Sequence, residues 1–393
     1  MAACALAGCR ERAAEKARPA AFTPELAALA SKALTTYADL AFAGYADSAE
    51  QAKKLLSAVD ALSEAPSQVS LAAARRAWIA ARKPYPQTEV FRFYDGPIDR
   101  VETLVNTWPI DESYVEASLE GQQPGILENT KDYPALTADL LASLNLKQGE
   151  TSISTGYHVI EFLLWGRDTR ADGPGDRPYT DFSPKQAGNA LAQRRGVYLH
   201  LACELLLREL EEVRDDWDPR RTGNYRERFL RLPVRDALAL VVKGMGSLSG
   251  PELSGERLSV PYETKDQENE HSCFSDTTHS DVALDALGVE NVCLGRYTRV
   301  DGSVVSGPSL CEVIGARDRA LGERLKAELS RSVAAAGSIP APFDQAILGT
   351  DEAPGRRAIW ATIQALQRQT DTLSDVAALF DLRVSLASLR KRP

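Results

Sequence analysis

The sequence has few histidines, and several common metal and redox signatures are missing from it. Only four histidines occur in 393 residues, so any histidine-based chemistry must use His158, His200, His271 or His279. The six cysteines form no Cys-x-x-Cys pair, which argues against zinc ribbons and thioredoxin-type redox sites. The HExxH and HxxEH patterns of zinc peptidases are also absent. No stretch approaches the ~18 uninterrupted apolar residues that a membrane-spanning helix needs.

Positive charge is in deficit as well. Lys and Arg total 46 against 55 for Asp and Glu, which gives a formal net charge of -9. Because binding to phosphate backbones depends on Lys and Arg, nucleic acid is not an expected partner. Aromatic residues make up only 7% of the chain, and this scarcity favours helix over strand.

Apolar residues recur at three- and four-residue spacing along most of the chain, which is the period of an amphipathic helix. Thr23 is the expected N-cap of the first helix, and Pro24 suits its first turn. Irregular polar segments are expected at 249–257 and 266–281, and a hairpin-like loop at 295–308. The predicted helices cover residues 24–64, 69–82, 97–106, 151–166, 184–217, 233–248, 312–335 and 354–390.

Long helices without a train of alternating strands predict an all-α protein. We expect two helix-bundle domains with a cleft between them. Residues 22–183 would form the N-terminal bundle and residues 184–393 the C-terminal bundle. In each half, amphipathic helices lead into a Gly- and acid-rich segment, which would fit a diverged duplication.

The chain opens with the run Leu6-Ala7-Gly8-Cys9, which is similar to a bacterial lipobox. In such a signal the peptide is cut before the cysteine, which is then acylated. Only eight residues precede Cys9, so we expect that residues 1–21 hold the end of a longer signal and a tether. The alternative is a chance match in an Ala-rich segment. Acylation at Cys9 would anchor the protein to a membrane outside the cytoplasm, where disulfides persist.

The segment Gly156-x-His158-x-x-Glu161 is the most informative of the chain. The imidazole and the carboxylate are three residues apart, so they project from the same side of a helix. Their neighbours are apolar all round, which indicates a buried helix. Buried polar groups of this kind must be paired or must bind a metal. We predict that His158 and Glu161 are metal ligands; the alternative is a hydrogen-bonded pair that supports the bundle.

A second cluster of polar residues lies between residues 266 and 279. It places Glu270 and His271 side by side, and both are predicted metal ligands. Glu268, Cys273 and Asp276 are expected to line the same site. The alternative is a solvated acidic loop, as most charge runs are.

A third group lies in the Tyr- and Phe-rich stretch from residue 84 to residue 99. Glu89 is either a metal ligand or a member of a buried salt bridge that supports the site. Gln87, Arg92 and Asp99 are expected beside it.

The cysteines at 293 and 311 bracket a loop rich in turn residues. We predict a Cys293–Cys311 disulfide, with a bridge from Cys273 to one of them as the alternative. A third reading leaves all of them reduced. Cys203 lies on the apolar face of a long helix and is expected to be a packed thiol.

Five motifs in this order resemble the imelysin family, and within it the iron-regulated protein A branch. They are Gln87-Thr-Glu89-Val-Phe91-Arg-Phe93, Gly96-Pro-Ile-Asp99, Gly156-x-His158-x-x-Glu161, Ser249-Gly-Pro-Glu-Leu-Ser-Gly-Glu256-Arg257 and Glu270-His271-Ser-Cys273-Phe-Ser-Asp276. The resemblance implies an all-helical envelope protein of two bundles, with a site in the cleft that includes His158 and Glu161. It also implies a link to iron uptake, and a peptidase classification.

The residues and the resemblance both point to a transition metal, iron in the first place and zinc as the alternative. We expect an envelope lipoprotein that binds this metal between its domains, with an envelope metal-transport partner. The first alternative is a metal-dependent peptidase that uses Glu161 or Glu270 as its base. The second is an interaction protein without a metal.

Overall fold

The computed structural model describes residues 22–117, 123–170, 173–185 and 191–384. Within these ranges the regular secondary structure is helical, apart from one two-stranded antiparallel hairpin. The prediction of an all-α protein is confirmed. Cys9 and the proposed tether lie outside the described residues. In the part of the chain that is described, no helix is both long and apolar enough to cross a membrane.

The α-helices carry the architecture, and short turns of other helix types connect them. The α-helices are α1 (Pro24–Glu64), α2 (Gln68–Arg82), α3 (Glu102–Val105), α4 (Glu112–Val115), α5 (Ala138–Leu144), α6 (Gly156–Trp165), α7 (Ala192–Trp217), α8 (Tyr225–Leu230), α9 (Val234–Ser247), α10 (Val260–Thr264), α11 (Thr278–Leu294), α12 (Leu310–Arg317), α13 (Arg319–Ala336), α14 (Phe343–Ala346) and α15 (Pro354–Leu379). The 3₁₀ segments are Pro86–Phe91, Ile98–Arg100, Tyr179–Phe182 and Gln267–Asn269, and a π-helix covers Leu248–Ser259. The hairpin pairs β1 (Arg296–Thr298) with β2 (Val304–Ser306).

Helix α1 has the predicted bounds and the predicted cap. The Thr23 hydroxyl accepts a hydrogen bond from the Leu26 amide at 3.2 Å, and Pro24 occupies the first turn. The buried face of α1 packs along α2 and α7. These three helices and α6 contribute to one large hydrophobic core. Helices α1, α2 and α7 therefore hold α6, which carries His158 and Glu161.

Several predicted elements have different bounds in the structure. The helix expected over 151–166 begins only at Gly156, and the one expected over 312–335 is two helices that meet at Asp318. The segment 249–257 is not irregular but lies inside the π-helix. Leu253 and Leu258 of this π-helix are buried in a second, smaller core with residues of α11 and α15. Tertiary packing thus overrides the turn preference of Gly and Pro there.

The second half of the chain is fastened to α1 by the hairpin. Asp47 of α1 is fully buried and accepts hydrogen bonds from the Tyr297 hydroxyl, the Arg299 guanidinium and the Val300 amide. A disulfide joins Cys293 to Cys311 across the base of the hairpin, with Cα atoms 5.1 Å apart, which is the predicted pairing. Cys203 and Cys273 are buried free thiols. The division into bundles at residues 183 and 184 stays a prediction, as does the duplication.

Candidate functional site

Gly156 fixes the start of α6 and therefore the position of the motif that follows it. Its φ of +88° lies in the region that favours glycine, and an added Cβ would meet the carbonyl oxygen of Val105 at 2.6 Å. Every residue of α6 is buried, as the all-round apolar sequence predicts. The glycine of the motif is therefore explained by close packing at the helix start.

The side chains of His158 and Glu161 contact each other on this helix. His158 Nδ1 lies 3.1 Å from Glu161 Oε2. The other carboxylate oxygen accepts hydrogen bonds from the Ser275 amide at 2.9 Å and its hydroxyl at 2.6 Å. Glu161 thus contacts a residue from the second half of the chain. The remaining imidazole nitrogen, Nε2 of His158, is buried and has no hydrogen-bond partner among the described residues.

The segment 270–277 brings a second imidazole to the first. The rings of His158 and His271 lie 4.6 Å apart, centroid to centroid, with an interplanar angle of 68°. His271 Nδ1 lies 2.9 Å from Oδ2 of Asp281, a residue in the first turn of α11. The partly exposed Trp108 contacts the His271 ring edge-on at 5.7 Å. Each imidazole thus has one nitrogen beside a carboxylate.

Both imidazoles are neutral near pH 7, which is the form that binds metals. Burial, together with His271, lowers the pKa of His158 well below its usual range. Burial, together with Arg257, lowers the pKa of His271 to about 4, although Asp281 acts in the opposite direction. Burial also raises the pKa of Glu161 to about 8, which Ser275 only partly offsets. Asp281 differs, because the Arg82 guanidinium outweighs burial and holds the pKa of this carboxyl far below its usual range.

Glu89 lies in an ion-pair network at the edge of the imidazole pair. Arg257 donates to its two oxygens at 3.0 and 2.5 Å, and Arg92 donates to Oε2 at 2.7 Å. Burial alone would raise the pKa of Glu89, but Arg257 and Arg92 lower it to about 2. Arg257 also donates to Asp285 of α11 at 2.9 Å. Of the two predicted roles, these contacts favour the buried salt bridge.

Glu270 is a buried carboxylate without a compensating charge. It is fully buried, and neither of its oxygens has a hydrogen-bond partner among the described residues. Burial and the nearby Asp344 raise its pKa well above the usual range. The same two causes and Asp168 raise the pKa of Asp276 to about 7. Glu270 and Asp276 lie in the same segment as His271, so the backbone of residues 270–277 connects these two acids to the imidazole pair.

The other predicted lining residues are more dispersed. Gln87 accepts a hydrogen bond from Asn291 of α11 and donates one to the Lys83 carbonyl. Asp99 accepts from the amides of residues 93, 94 and 96, so it holds its own loop. Glu268 is exposed, whereas the Cys273 thiol is buried, and burial raises its pKa well above the usual range. The site roles of these residues stay predictions.

Arg82 and Asp281, which support His271, were not predicted from the sequence. Arg82 ends α2 and resembles the exposed basic residues beside it, so its burial is visible only in the fold. Asp281 and Asp285 are one turn apart on the buried side of α11. Two acids at this spacing next to Val282 and Ala286 are the one sequence signal that could have indicated them.

The arrangement suits a transition metal that takes only part of its ligands from the protein. In the described ranges, no three or more His, Cys, Asp or Glu side chains lie close enough to hold a metal ion together. The unpartnered Nε2 of His158 nevertheless belongs to an imidazole that packs against a second imidazole. Imidazole nitrogens are donors that iron and zinc accept. Water or a chelating ligand would have to complete the coordination.

The fold and the site together define an all-helical protein with a buried imidazole pair assembled from both halves of its chain. The family model of imelysin matches residues 41–373. The chain therefore belongs to the imelysin family.

The similar proteins have iron-related names or imelysin-like folds. An iron-regulated protein A from Synechococcus elongatus is 25% identical over 338 residues, which are 84% of this chain and 80% of that protein. A crystal structure from Parabacteroides distasonis, provisionally described as an iron-regulated protein A precursor, has a TM-score of 0.71 at 19% identity and covers 90% of this chain and 95% of its own. An imelysin-like protein from Psychrobacter arcticum has a TM-score of 0.64 at 15% identity, with 91% and 98% covered.

Proposed function

We propose that this protein is a cell-envelope lipoprotein that binds iron, or another transition metal, at the buried imidazole pair and serves in iron acquisition. The observation that carries the proposal is Nε2 of His158. This nitrogen is buried, has no partner among the described residues, and belongs to an imidazole that is packed against a second imidazole. A polar atom in this position costs free energy unless a ligand occupies it.

Nε2 of His158 and Nε2 of His271 are the proposed donors. Each imidazole has its Nδ1 within 3.1 Å of a carboxylate oxygen, on Glu161 for one and on Asp281 for the other. Carboxylates in this position orient the ligating imidazole and increase its basicity. Glu161 then acts mainly through His158. Glu270, the residue before His271, is buried without a compensating charge, but among the described residues it does not complete a group of three ligands.

The iron-related part of the proposal is supported by the naming of the relative from Synechococcus elongatus. The envelope location is supported by the lipobox-like run that ends at Cys9 and by the disulfide between Cys293 and Cys311. Capture of a metal outside the cytoplasm requires a partner in the envelope that receives it. A membrane anchor at Cys9 would keep the protein near such a partner.

Metal titration of the purified protein tests the proposal. We expect wild-type protein to bind iron or zinc, and His158→Ala to bind it at least tenfold more weakly, because a direct ligand is lost. His200→Ala is the matched control, since His200 is a partly exposed histidine of α7 that pairs with Asp60. The control should keep the wild-type affinity. An unchanged affinity in His158→Ala would rule out this site.

The peptidase activity implied by the family is the second candidate. One observation favours it: the pKa of Glu161 is raised to about 8, so this carboxyl exchanges its proton near neutral pH, as a general base must. Hydrolysis assays on the metal-loaded protein separate the two candidates. Peptide turnover that a chelator abolishes, and that Glu161→Gln removes, would support the enzyme. Metal binding without turnover would support the binding protein.

A further inference from the structure

The imidazole of His271 is held in position by residues outside the segment 270–277. Its Nδ1 lies 2.9 Å from Oδ2 of Asp281. The Arg82 guanidinium also donates to Asp281, at 2.8 and 3.3 Å, and the Ser272 hydroxyl donates to the same carboxylate at 2.6 Å. Asp281 is therefore surrounded by donors, all of which fix the direction of its oxygens.

Arg82 is itself held in place from several sides. It donates from Nη1 to Asn106 at 2.6 Å, and Asn106 donates in turn to Glu89 at 3.2 Å. Its guanidinium carbon lies 4.9 Å from the centre of the Tyr157 ring. The side chain is almost fully buried, as is that of Asp281. A rigid connection therefore runs from α2 through Arg82 and Asp281 to the imidazole of His271.

Two arrangements of the imidazole proton compete at this point. Nδ1 can carry the proton and donate to Asp281, or it can accept from Nη2 of Arg82, which lies 3.5 Å away. The second arrangement would leave the proton on Nε2, where it would block a metal. The shorter distance is to Asp281, and an ionised carboxylate can only accept. The geometry therefore favours the proton on Nδ1.

We propose that Arg82 and Asp281 are positioning residues that hold His271 in the Nδ1–H tautomer and leave the lone pair of its Nε2 available to a metal. This deepens the proposed function, and its consequence for metal affinity rests on that function. The tautomer itself belongs to the metal-free protein. The two ideas can therefore fail separately.

The tautomer can be measured in wild-type protein that is labelled with ¹⁵N on histidine only. The chain has four histidines, and His271→Gln assigns the signal of interest. We expect long-range ¹H–¹⁵N spectra of the metal-free protein near pH 7 to show a protonated Nδ1 and an unprotonated Nε2 for His271. A proton on Nε2, or on both nitrogens, would overturn the proposal.

Asp281→Asn tests the role of the carboxylate. We expect the His271 tautomer to shift toward Nε2–H and the metal affinity to fall about tenfold, as is typical when such an orienting carboxylate is lost. Asp285→Asn is the matched control, because Asp285 lies one turn further along α11 and contacts Arg257 rather than an imidazole. The control should leave the tautomer unchanged and the affinity within about twofold.

The outcomes of these experiments separate the two ideas. If a folded Asp281→Asn keeps the wild-type tautomer and affinity, the positioning role is wrong. If wild-type protein binds no iron or zinc at all, the proposed function is wrong. In that case the wild-type spectrum still decides whether Arg82 and Asp281 hold His271 in the Nδ1–H tautomer.

Discussion

At the scale of single residues, Glu161 differs from the other carboxylates around the imidazole pair. Glu89 and Asp281 form ion pairs with arginines, whereas within the described residues the hydrogen-bond partners of Glu161 are Ser275 and His158. Because burial dominates and no described arginine forms an ion pair with it, the pKa of Glu161 is raised to about 8, while that of Glu89 is lowered to about 2. The same side-chain type is thus held in opposite protonation states by its neighbours.

The raised pKa of Glu161 predicts a pH-dependent stability. The folded protein holds this proton more tightly than the unfolded chain, so the stabilisation is fully present below about pH 4.5 and is lost as the pH rises toward 8. Glu161→Gln removes the titration. We expect urea unfolding of the metal-free protein between pH 5 and 8 to be less pH-dependent in this variant, by up to about 1.4 kcal/mol per pH unit.

The exposed Glu50 offers a matched control for this experiment. It pairs with Lys54 on the surface of α1, and its side chain is 53% exposed. Glu50→Gln should follow the wild-type pH dependence. Equal pH dependence in wild-type protein and Glu161→Gln would show that Glu161 is not held protonated.

The sequence indicates part of the site at this scale. His158 and Glu161 are recognisable because a helical spacing places two polar residues in an apolar helix, and burial then demands a partner. His271 is recognisable by its place among acids and by its scarcity. Arg82 could not be predicted, since only the contact of α2 with α11 distinguishes it from the exposed basic residues nearby. The salt-bridge role of Glu89 depends on Arg257, which is 168 positions away in the chain.

At the scale of elements, three helices approach the 3₁₀ segment Pro86–Phe91 through glycines. A Cβ on Gly44 of α1 would meet the Thr88 methyl at 2.7 Å, and one on Gly288 of α11 would meet the Gln87 carbonyl oxygen at 2.6 Å. Gly244 of α9 packs in the same way against Val90. The segment that carries Glu89 is thus held by close backbone contacts that need small residues.

Gly288→Ala should therefore destabilise the protein, by roughly 1–3 kcal/mol in urea unfolding, because the new methyl meets rigid backbone. Gly315→Ala is the matched control in α12, where an added Cβ meets nothing within 4 Å. There the substitution should be neutral or stabilise by up to about 1 kcal/mol, as alanine favours a helix more than glycine does. Equal effects of the two substitutions would contradict the close packing of α11.

The disulfide between α11 and α12 supports a second prediction about elements. It closes a loop of 18 positions around the hairpin and restricts the unfolded chain. We expect the double variant Cys293→Ser/Cys311→Ser to lose about 3 kcal/mol of unfolding free energy. Reducing agent should destabilise the wild-type protein by a similar amount and leave the double variant unchanged. A reductant effect that persists in the double variant would assign the effect to another thiol.

The helices whose formation depends on local sequence pattern could be predicted. Those whose conformation depends on tertiary packing could not. The long helices have the expected positions because their apolar period extends over many turns. The π-helix Leu248–Ser259 was not predictable, since its two Ser-Gly pairs and Pro251 favour a turn in isolation. It remains helical because Leu253 and Leu258 fill a core and Arg257 pairs with Glu89. Helices of this type frequently occur at functional sites, and this one contributes Arg257 beside the candidate site.

At the scale of the whole molecule, the candidate site joins segments that are far apart in the chain. The imidazole of His158 comes from α6, that of His271 from the segment before α11, and Arg82 from the end of α2. Folding of both halves is therefore a condition for forming the proposed metal site. This also explains why the sequence could indicate the candidate residues but not their geometry.

The last prediction concerns how the molecule is held in the cell. If Cys9 is acylated after removal of residues 1–8, the intact mass of the envelope form will differ from the mass calculated for the full sequence. It will lack the mass of those eight residues and include the mass of the attached lipid. Each buried methylene of an acyl chain contributes about 0.8 kcal/mol to membrane binding, so the native protein should stay with the membrane fraction at high salt. Cys9→Ser should release a folded protein that still contains the Cys293–Cys311 disulfide. An envelope form that retains residues 1–8 with an unmodified Cys9 would refute the anchor and leave the metal site untouched.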